Sequence, residues 1–229
     1  MSDQQVSPVI GVDVATMVIG ILGGTGPEGR GLAERFAAAG NPVIIGSRSA
    51  ERAVAAAGEV GEDPQVRGMT NADAAAAADV VIVAVAWEGH AATLASLAEQ
   101  LTGKIVVDCV NPMGFDEHGA YPLRVAEGSA AEQASAVLPG STVVGAFHHL
   151  SSVLLLDPQL ASLDQDVLVL GDDRAATGLV QELAARLPGV RGVYAGRLRN
   201  CGQVEALTAN LVSINRRYKA HAGLRITDI

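Results

Sequence analysis

A glycine-rich turn near the N-terminus constrains the fold of this chain more than any other feature. The apolar run "MVIGIL" at residues 17–22 leads into "GGTGPEGRGLAERF", where Gly24, Gly26 and Gly29 have the spacing G-x-G-x-x-G. A strand, this turn and a helix open a dinucleotide-binding unit in which the helix N-terminus faces the pyrophosphate. We expect Gly24 to allow the tight turn, Gly26 to admit the pyrophosphate and Gly29 to let the helix pack closely.

Short apolar runs alternate with Ala-rich amphipathic segments up to residue 110. The runs predict strands at 17–22, 42–46, 65–69, 79–85 and 104–110, and the segments between them predict helices at 27–39, 49–58, from 71 onward and 88–100. This order predicts an α/β fold with a Rossmann-type, doubly wound parallel sheet. The composition, 49% hydrophobic but only 3% aromatic, suits buried Val and Ile strands under Ala-rich helices.

The pattern is less regular after residue 110. Residues 111–129 are predicted to form a long polar loop, and residues 200–220 a terminal helix with Leu207, Leu211 and Ile214 on its apolar face. Between them we predict strands at 141–147, 166–173 and 192–196 and helices at 129–138 and 173–187. We divide the chain into an N-terminal extension (1–16), a nucleotide-binding domain (17–148) and a smaller C-terminal α/β domain (149–229). The alternative is that the later strands extend the first sheet.

Charge and composition exclude several classes of protein. The net charge of −9 argues against a nucleic-acid binder. The N-terminus has no signal-peptide pattern and the longest apolar run is too short to cross a bilayer, so we predict a cytoplasmic protein. The two cysteines, Cys109 and Cys201, belong to no Cys/His cluster, and neither a metal site nor a disulfide is predicted.

The end of the second predicted strand indicates which nucleotide is bound. Proteins that bind NAD commonly have an acid there, about twenty residues after the glycine turn, to hold the ribose. This chain has Ser47 and Arg48 instead, with Arg52 four residues on. A guanidinium offers a planar fork of donors to a 2′-phosphate, and Thr25 in the turn could add a hydroxyl. The pattern favours NADP(H) over NAD(H).

No acid/base catalyst is evident in the sequence. His148 and His149 follow a strand directly, so one is expected to face the cleft, whereas Glu88 and His90 are interpreted as capping and surface groups in the first turn of a helix. Hydride transfer between two bound cofactors needs mainly the apposition of two rings and the exclusion of water. We therefore predict no catalytic residue in the acid/base sense.

Six stretches together resemble the F420H2:NADP+ oxidoreductase family: "GILGGTGPEGRGLA", "IIGSRSAERA", "VAWE", "KIVVDCVNP", "VVGAFHHL" and "LVLGDD". The resemblance runs from about residue 17 to about residue 220 and implies reversible hydride transfer between NADP and the deazaflavin of coenzyme F420 in a homodimer. It implies these cofactor-binding residues: Gly24, Thr25, Gly26, Pro27 and Glu28 at the pyrophosphate, Ser47, Arg48 and Arg52 at the 2′-phosphate, and Val85, Trp87 and Met113 along the cofactor. It implies a deazaflavin site formed by His148, Leu150 and Ser152. The anionic tail of coenzyme F420 would need a basic patch, for which the candidates are Arg197 and Arg199, or Arg216, Arg217 and Lys219.

Two other functions remain open at this point. The first is an NADPH-dependent reductase of a small carbonyl or imine, in which His148 or Tyr218 would supply the proton. The second is a non-enzymatic NADP-binding redox sensor that uses the terminal helix as an interaction surface, because a fold alone does not settle function.

Overall fold

The computed structural model describes residues 13–60 and 65–229. In chain order the strands are β1 (Ile19–Leu22), β2 (Val43–Ser47), β3 (Val66–Thr70), β4 (Val80–Val83), β5 (Ile105–Asp108), β6 (Met113–Asp116), β7 (Gly119–Pro122), β8 (Thr142–Gly145), β9 (Gln165–Gly171) and β10 (Val190–Gly196). The helices are α1 (Pro27–Ala38), α2 (Ala50–Val60), α3 (Asn71–Ala77), α4 (His90–Ser96), α5 (Ala98–Leu101), α6 (Ala130–Val137), α7 (Ser152–Leu155), α8 (Arg174–Ala184) and α9 (Cys201–Tyr218).

Eight strands form one sheet in the order β10-β9-β8-β5-β4-β1-β2-β3. All neighbours are parallel except β8 and β9, which are antiparallel. β1 lies between β2 and β4, so the connections reverse direction there, which is where open α/β sheets bind ligands. The prediction of a Rossmann-type α/β fold is confirmed.

Alternating side chains of each strand enter two separate apolar clusters, one on each face of the sheet. On β1, Ile19 and Ile21 pack under α1, α2, α7 and α8, while Leu22 points to the opposite face. That opposite face is covered by α3, α4, α5, α6 and α9, which contribute small or branched residues such as Ala74 and Val204. Helices on both faces explain why the central strands β1, β2, β4, β5 and β8 are largely apolar.

Two predictions of local structure are wrong. Residues 111–129 do not form an unbroken loop, because β6 and β7 pair as an antiparallel hairpin. Its turn is closed by Asp116, whose Oδ1 accepts hydrogen bonds from the amides of His118 (2.8 Å) and Gly119 (3.1 Å). One helix is predicted at 88–100, but the structure has a 3₁₀ turn followed by two short helices, α4 and α5. The break between α4 and α5 is at Leu97, whose φ of −115° lies outside the helical region.

The strands after residue 148 belong to the same sheet as those before it, the alternative that the sequence left open. A separate C-terminal domain at 149–229 stays a prediction. The apolar face of α9 is only partly as predicted: Leu211 is buried and Leu207 half-buried, but Ile214 is 39% exposed. Glu205 lies on the buried face instead.

The two ends of the described chain are tied to the body of the protein. The predicted extension, residues 1–16, lies largely outside the described residues, and its last four residues form a turn whose Val14 carbonyl accepts a hydrogen bond from Asn41 (2.7 Å). At the other end, Asp166 accepts hydrogen bonds from the Ile226 amide (2.6 Å) and from Arg191 (2.7 and 2.8 Å). The hydrogen bond from Arg191 is the main cause that lowers the pKa of Asp166 to about 2.

None of the helices in the described part of the chain is long and apolar enough to cross a membrane.

Candidate cofactor site

The glycine turn has the shape that binds a pyrophosphate, with one change from the prediction. The left-handed backbone is at Gly23 (φ 69°), not at Gly24. Gly24 is required for space, since a Cβ there would lie 2.8 Å from the carbonyl oxygen of Ile21. A Cβ at Gly29 would lie 2.5 Å from the Cα of Gly24, so Gly29 lets α1 approach the turn closely.

Three backbone amides at this turn have no hydrogen-bond acceptor in the described part of the chain. Among residues 13–60 and 65–229, the N–H groups of Thr25, Glu28 and Gly29 make no hydrogen bond. They surround the N-terminus of α1, where the helix dipole also favours an anion. Pro27, at the first helical position, has no N–H to lose.

Asn71 fixes the turn from the side, which the sequence did not reveal. Its Oδ1 accepts a hydrogen bond from the amide of Gly23 (3.2 Å) and occupies the space that a side chain at Gly46 would need. Asn71 is buried at the start of α3, 48 residues from the turn. Only the pairing of β1, β2 and β3 brings these residues together.

The end of β2 presents two free guanidinium groups. Ser47 is buried as the last residue of the strand, while Arg48 and Arg52 are exposed. Neither arginine forms an ion pair with any residue that the structure describes. The nearby carboxylate of Glu51 accepts a hydrogen bond from Ser49, which lowers its pKa. Two unpaired cations at this strand end are suited to a phosphate.

A cavity of about 400 Å³ opens at the carboxyl ends of β4 and β5 and after β8. Seven of the residues predicted from the sequence line it: Glu28, Val85, Trp87, Met113, His148, Leu150 and Ser152. The other predicted residues (Gly24, Thr25, Gly26, Pro27, Ser47, Arg48 and Arg52) lie outside this lining, at the turn and at the end of β2. The structure thus separates the predicted set into a phosphate end and a cavity.

The chain bends sharply where β8 enters the cavity. Phe147 has a left-handed backbone (φ 64°), which costs a non-glycine residue roughly 1–2 kcal/mol. Its buried ring packs edge-on against Phe36, with centroids 6.0 Å apart. The backbone carbonyl oxygen of the following residue, His148, accepts hydrogen bonds from the side chains of Asn111 (2.9 Å) and Thr208 (3.4 Å). Packing and hydrogen bonds therefore hold the bend, and neither Asn111 nor Thr208 was predicted.

The two histidines after β8 have different surroundings. His149 donates from Nε2 to the carbonyl oxygen of Val204 (3.2 Å). His148 is buried, and neither of its ring nitrogens has a hydrogen-bond partner in the described part of the chain. Burial lowers the pKa of His148 to about 4. It is therefore neutral near pH 7 and is a poor source of protons there.

Glu28 lies in the cavity wall as well as at the glycine turn. Its Oε1 is buried without a hydrogen-bond partner in the described part of the chain, and burial raises its pKa to about 8. The carboxyl group therefore keeps its proton near neutral pH. A neutral side chain beside the turn does not repel a bound pyrophosphate.

His90 is not the surface group that the sequence indicated. It is fully buried, with Nε2 2.6 Å from Oδ2 of Asp108 and Nδ1 3.0 Å from Oε1 of Gln133. Its ring stacks on the indole of Trp87, with centroids 5.7 Å apart and planes at 29°. Glu88, by contrast, is exposed, as expected. The helical periodicity does not indicate that His90 is buried and paired, because its partner Asp108 is 18 residues away on β5.

Cys109 and Cys201 are both buried and free. Burial raises the pKa of both thiols, so neither is a thiolate near neutral pH. Within residues 13–60 and 65–229, no group of three or more His, Cys, Asp or Glu side chains is placed to hold a metal ion.

Comparison with known proteins identifies the family. Residues 18–112 match the family described as "NADP oxidoreductase coenzyme F420-dependent". The chain is 41% identical over 228 residues to the F420-dependent NADP reductase of Methanothermobacter thermautotrophicus, covering 95% of this chain and 98% of that protein. The chain belongs to the coenzyme F420-dependent NADP oxidoreductase family.

Two further proteins extend the similarity. The F420-dependent NADP reductase of Methanocaldococcus jannaschii is 39% identical over 224 residues, covering 93% of this chain and 99% of that one. A crystal structure of a protein proposed to be an F420-dependent NADP reductase, from Arthrobacter sp. FB24, superposes with a TM-score of 0.79 at 30% identity. It covers 93% of this chain and all of its own. The similarity to these proteins therefore extends beyond position 112, over most of the chain.

Proposed function

We propose that this protein transfers hydride reversibly between reduced coenzyme F420 and NADP+. The proposal rests on the groups that lie along the carboxyl-terminal edge of the sheet, in a chain that belongs to this family. An anion-binding turn, two unpaired arginines and a cavity of about 400 Å³ lie along the carboxyl ends of neighbouring parallel strands. Such an edge can hold a dinucleotide with its nicotinamide in the cavity.

The phosphate end fits NADP in charge and in hydrogen bonding. The three free amides at Thr25, Glu28 and Gly29 would hold the pyrophosphate, with Gly24, Gly26 and Pro27 shaping the turn. Ser47, Arg48 and Arg52 would hold the 2′-phosphate, as the unpaired state of both guanidinium groups supports. Val85, Trp87 and Met113 would lie along the rest of the cofactor, because all three line the cavity.

The cavity is also the proposed site of a second ring system. His148, Leu150 and Ser152 would contact the deazaflavin, which supplies the hydride when it is bound in its reduced form. These residues would orient the ring and keep water away from it. Besides the hydride, one proton is released as the deazaflavin is oxidised, and the reverse reaction takes one up. Solvent can exchange this proton, so a protein acid or base is not required, which is consistent with a His148 that is neutral and a Tyr218 that is 73% exposed on the last turn of α9.

The anionic tail of coenzyme F420 would bind at the C-terminal end of α9. A groove of about 840 Å³ lies there between α9 and the β6–β7 hairpin, and Arg216, Arg217 and Lys219 line it. Val212 lines both this groove and the cavity, so the two are adjacent. The other candidates, Arg197 and Arg199, precede α9, about 27 Å along the helix axis from its last turn.

The assembly and location of the protein follow from the family resemblance and from composition. We propose a homodimer in the cytoplasm that binds no nucleic acid. Exposed apolar side chains on the hairpin and α9, including Phe115 (67% exposed) and Tyr121 (43% exposed), offer a surface for a second copy. Light scattering coupled to gel filtration measures the mass directly, and a monomer at micromolar concentration would contradict the dimer.

A spectrophotometric assay tests the function. Purified protein is mixed with NADPH and oxidised coenzyme F420, and the loss of the visible absorbance of the deazaflavin is followed. We expect NADPH-dependent bleaching that reverses with NADP+ and reduced F420. No turnover from about pH 5 to about pH 9, in protein that still binds NADP, would overturn the proposal. A panel of ketones and imines in the same cuvette would then reveal a carbonyl or imine reductase.

A further inference from the structure

The imidazole of His90 is held at both ring nitrogens by groups that accept hydrogen bonds. Nε2 faces Oδ2 of Asp108 at 2.6 Å, and Nδ1 faces Oε1 of Gln133 at 3.0 Å. A carboxylate and an amide oxygen can only accept, so both nitrogens must carry a hydrogen. The ring is then an imidazolium, although it is fully buried.

Neighbouring contacts fix the orientation of both acceptors. The amide nitrogen of Gln133 donates to the carboxylate of Glu127 (3.3 Å), so its oxygen is the atom that faces His90. The other oxygen of Asp108 accepts from the amide of Val110 (3.0 Å). Each acceptor is therefore anchored independently of the histidine.

The charges that face His90 come from three elements. Asp108 lies at the end of β5, Gln133 with Glu127 behind it belongs to α6 and the segment before it, and Glu205 lies on α9. Burial by itself lowers the pKa of His90, but the hydrogen bond and charge of Asp108, with smaller contributions from Gln133 and Glu205, raise it above the ordinary value. Burial also raises the pKa of Glu205 to about 7, which leaves Asp108 as the main counter-ion near neutral pH.

One face of the imidazolium is covered by Trp87. The ring centroids are 5.7 Å apart and the planes are inclined by 29°, a geometry in which a cation attracts the face of an indole. Trp87 also lines the cavity, together with His148 and Met113. It is the single tryptophan of the chain, so its fluorescence reports this one position.

We propose that His90 is a positioning residue, which as an imidazolium paired with Asp108 holds the indole of Trp87 in the wall of the cavity where the two cofactor rings meet. This role rests on the proposed function, because the cavity is taken as the place of hydride transfer. His90 lies behind Trp87 and acts on the cofactors only through it. A displaced indole would leave the nicotinamide less firmly held.

The charge of the ring can be measured without cofactors. In protein labelled with ¹⁵N-histidine, we expect both ring nitrogens of His90 to be protonated near pH 7, with the signals assigned by their absence in His90→Gln. We also expect brighter Trp87 emission in His90→Gln, because a stacked imidazolium quenches indole fluorescence. The exposed His221→Gln is the control and should leave Trp87 emission unchanged. An unprotonated ring nitrogen in His90, or equal emission in the two variants, would overturn the proposal.

A double-mutant cycle tests whether His90 acts through Trp87. With Trp87 present, His90→Gln should weaken NADP+ binding and lower kcat on the order of tenfold, within the ~10²-fold that about 1 Å of misplacement can cost. In a Trp87→Phe background the same change should have little further effect. Additive effects would mean that His90 does not act through the indole.

Two features keep these outcomes separate from folding and from the proposed function. Removing His90 alone leaves the buried carboxylate of Asp108 without a counter-ion. If His90→Gln does not fold for this reason, the double variant His90→Gln with Asp108→Asn is used instead, because it places two neutral amides side by side. This double variant should also show brighter Trp87 emission, and wild-type emission would contradict the proposal. If the wild type binds NADP+ but does not turn over F420, the proposed function fails, while the binding cycle and the ¹⁵N signals still test His90.

Discussion

At the scale of single residues, Arg48 and Arg52 are expected to decide between the two nucleotides. Both are exposed and free of ion pairs in the described chain, so a 2′-phosphate displaces no counter-ion. Arg48→Ala with Arg52→Ala should raise the dissociation constant of NADP+ on the order of 10- to 100-fold, or about 1.4–2.8 kcal/mol in total, because solvent screens the interactions of exposed charged groups. The constant for NAD+ should change little.

Isothermal calorimetry with both nucleotides measures this difference. The matched control is Arg174→Ala, because Arg174 is an exposed arginine that lines neither cavity. Equal weakening of NADP+ and NAD+ would contradict a 2′-phosphate site at the end of β2.

Glu28 should make the stability of the protein depend on pH. Its pKa is raised from 4.5 to about 8, so between those values the folded state keeps a proton that the unfolded state has lost. Because the folded state then binds more protons, its stability falls as pH rises through this window. Glu28→Gln removes the titration, so the variant should gain stability over the wild type from about pH 5 to about pH 8. Urea unfolding at both pH values measures the gain, and a difference independent of pH would contradict the burial of a neutral acid.

Sequence patterns indicate residues whose proposed roles depend on neighbouring positions in the chain. The glycine spacing and Ser47-Arg48 act through the backbone and side chains of a few adjacent positions, so their pattern is visible in the sequence. Asn71 and His90 were missed or misread because their partners, Gly23 and Asp108, are 48 and 18 residues away. Only the pairing of the strands brings such residues together.

At the scale of elements, Arg35 of α1 holds the segment that follows the proposed deazaflavin-site residues. Its guanidinium donates to the carbonyl oxygens of Leu154 (2.7 Å), Leu155 (2.7 Å), Asp157 (2.8 Å) and Leu160 (2.6 Å). A guanidinium that satisfies four carbonyls at the end of α7 compensates for the short length of this helix.

Arg35→Met should therefore loosen α7. We expect a loss of roughly 2–4 kcal/mol in unfolding free energy, from several hydrogen bonds to a charged donor. Amide exchange at residues 155–160 should accelerate, and the KM for coenzyme F420 should rise more than that for NADP. The control is Arg67→Met on the exposed side of the edge strand β3. Unchanged exchange in α7 would show that the packing of Leu155 against Gly31 is sufficient.

The hairpin β6–β7 shows why the loop predicted at residues 111–129 is wrong, whereas the helices and strands predicted after it are found. Its strands have only four residues each, and three of the eight side chains are Gly or Pro. Such strands lack the alternation of apolar residues on which strand prediction depends. They are stabilised by contact with α9, which no local pattern records.

At the scale of the whole molecule, Asp166 links the C-terminal segment to the sheet. The carboxylate is paired with Arg191 and accepts from the Ile226 amide, and Ala222 of the same segment lines the cavity. The pKa of Asp166 is lowered to about 2, so its contribution to stability is present above about pH 4 and is lost as pH falls through about 2.

Asp166→Asn should lower the stability of the protein at neutral pH and have less effect at about pH 3. Thermal unfolding of the wild type and the variant at the two pH values measures the loss of stability at each. Weaker binding of coenzyme F420, with NADP+ binding unchanged, is also expected because the cavity wall at Ala222 is released. The same loss of stability at both pH values would show that the charge of Asp166 is not involved.

The reversal of strand direction between β8 and β9 has a practical consequence. The chain leaves β9 and β10 in the direction away from the carboxyl ends of β1, β4 and β5, and the exposed pair Asp172 and Arg197 found there lines neither cavity. An affinity tag, a surface linker or a second enzyme that recycles NADP could be attached at this corner. Both cofactors would still enter and leave at the cavity and the groove, which this pair does not line, so an immobilised or fused protein should keep its full turnover.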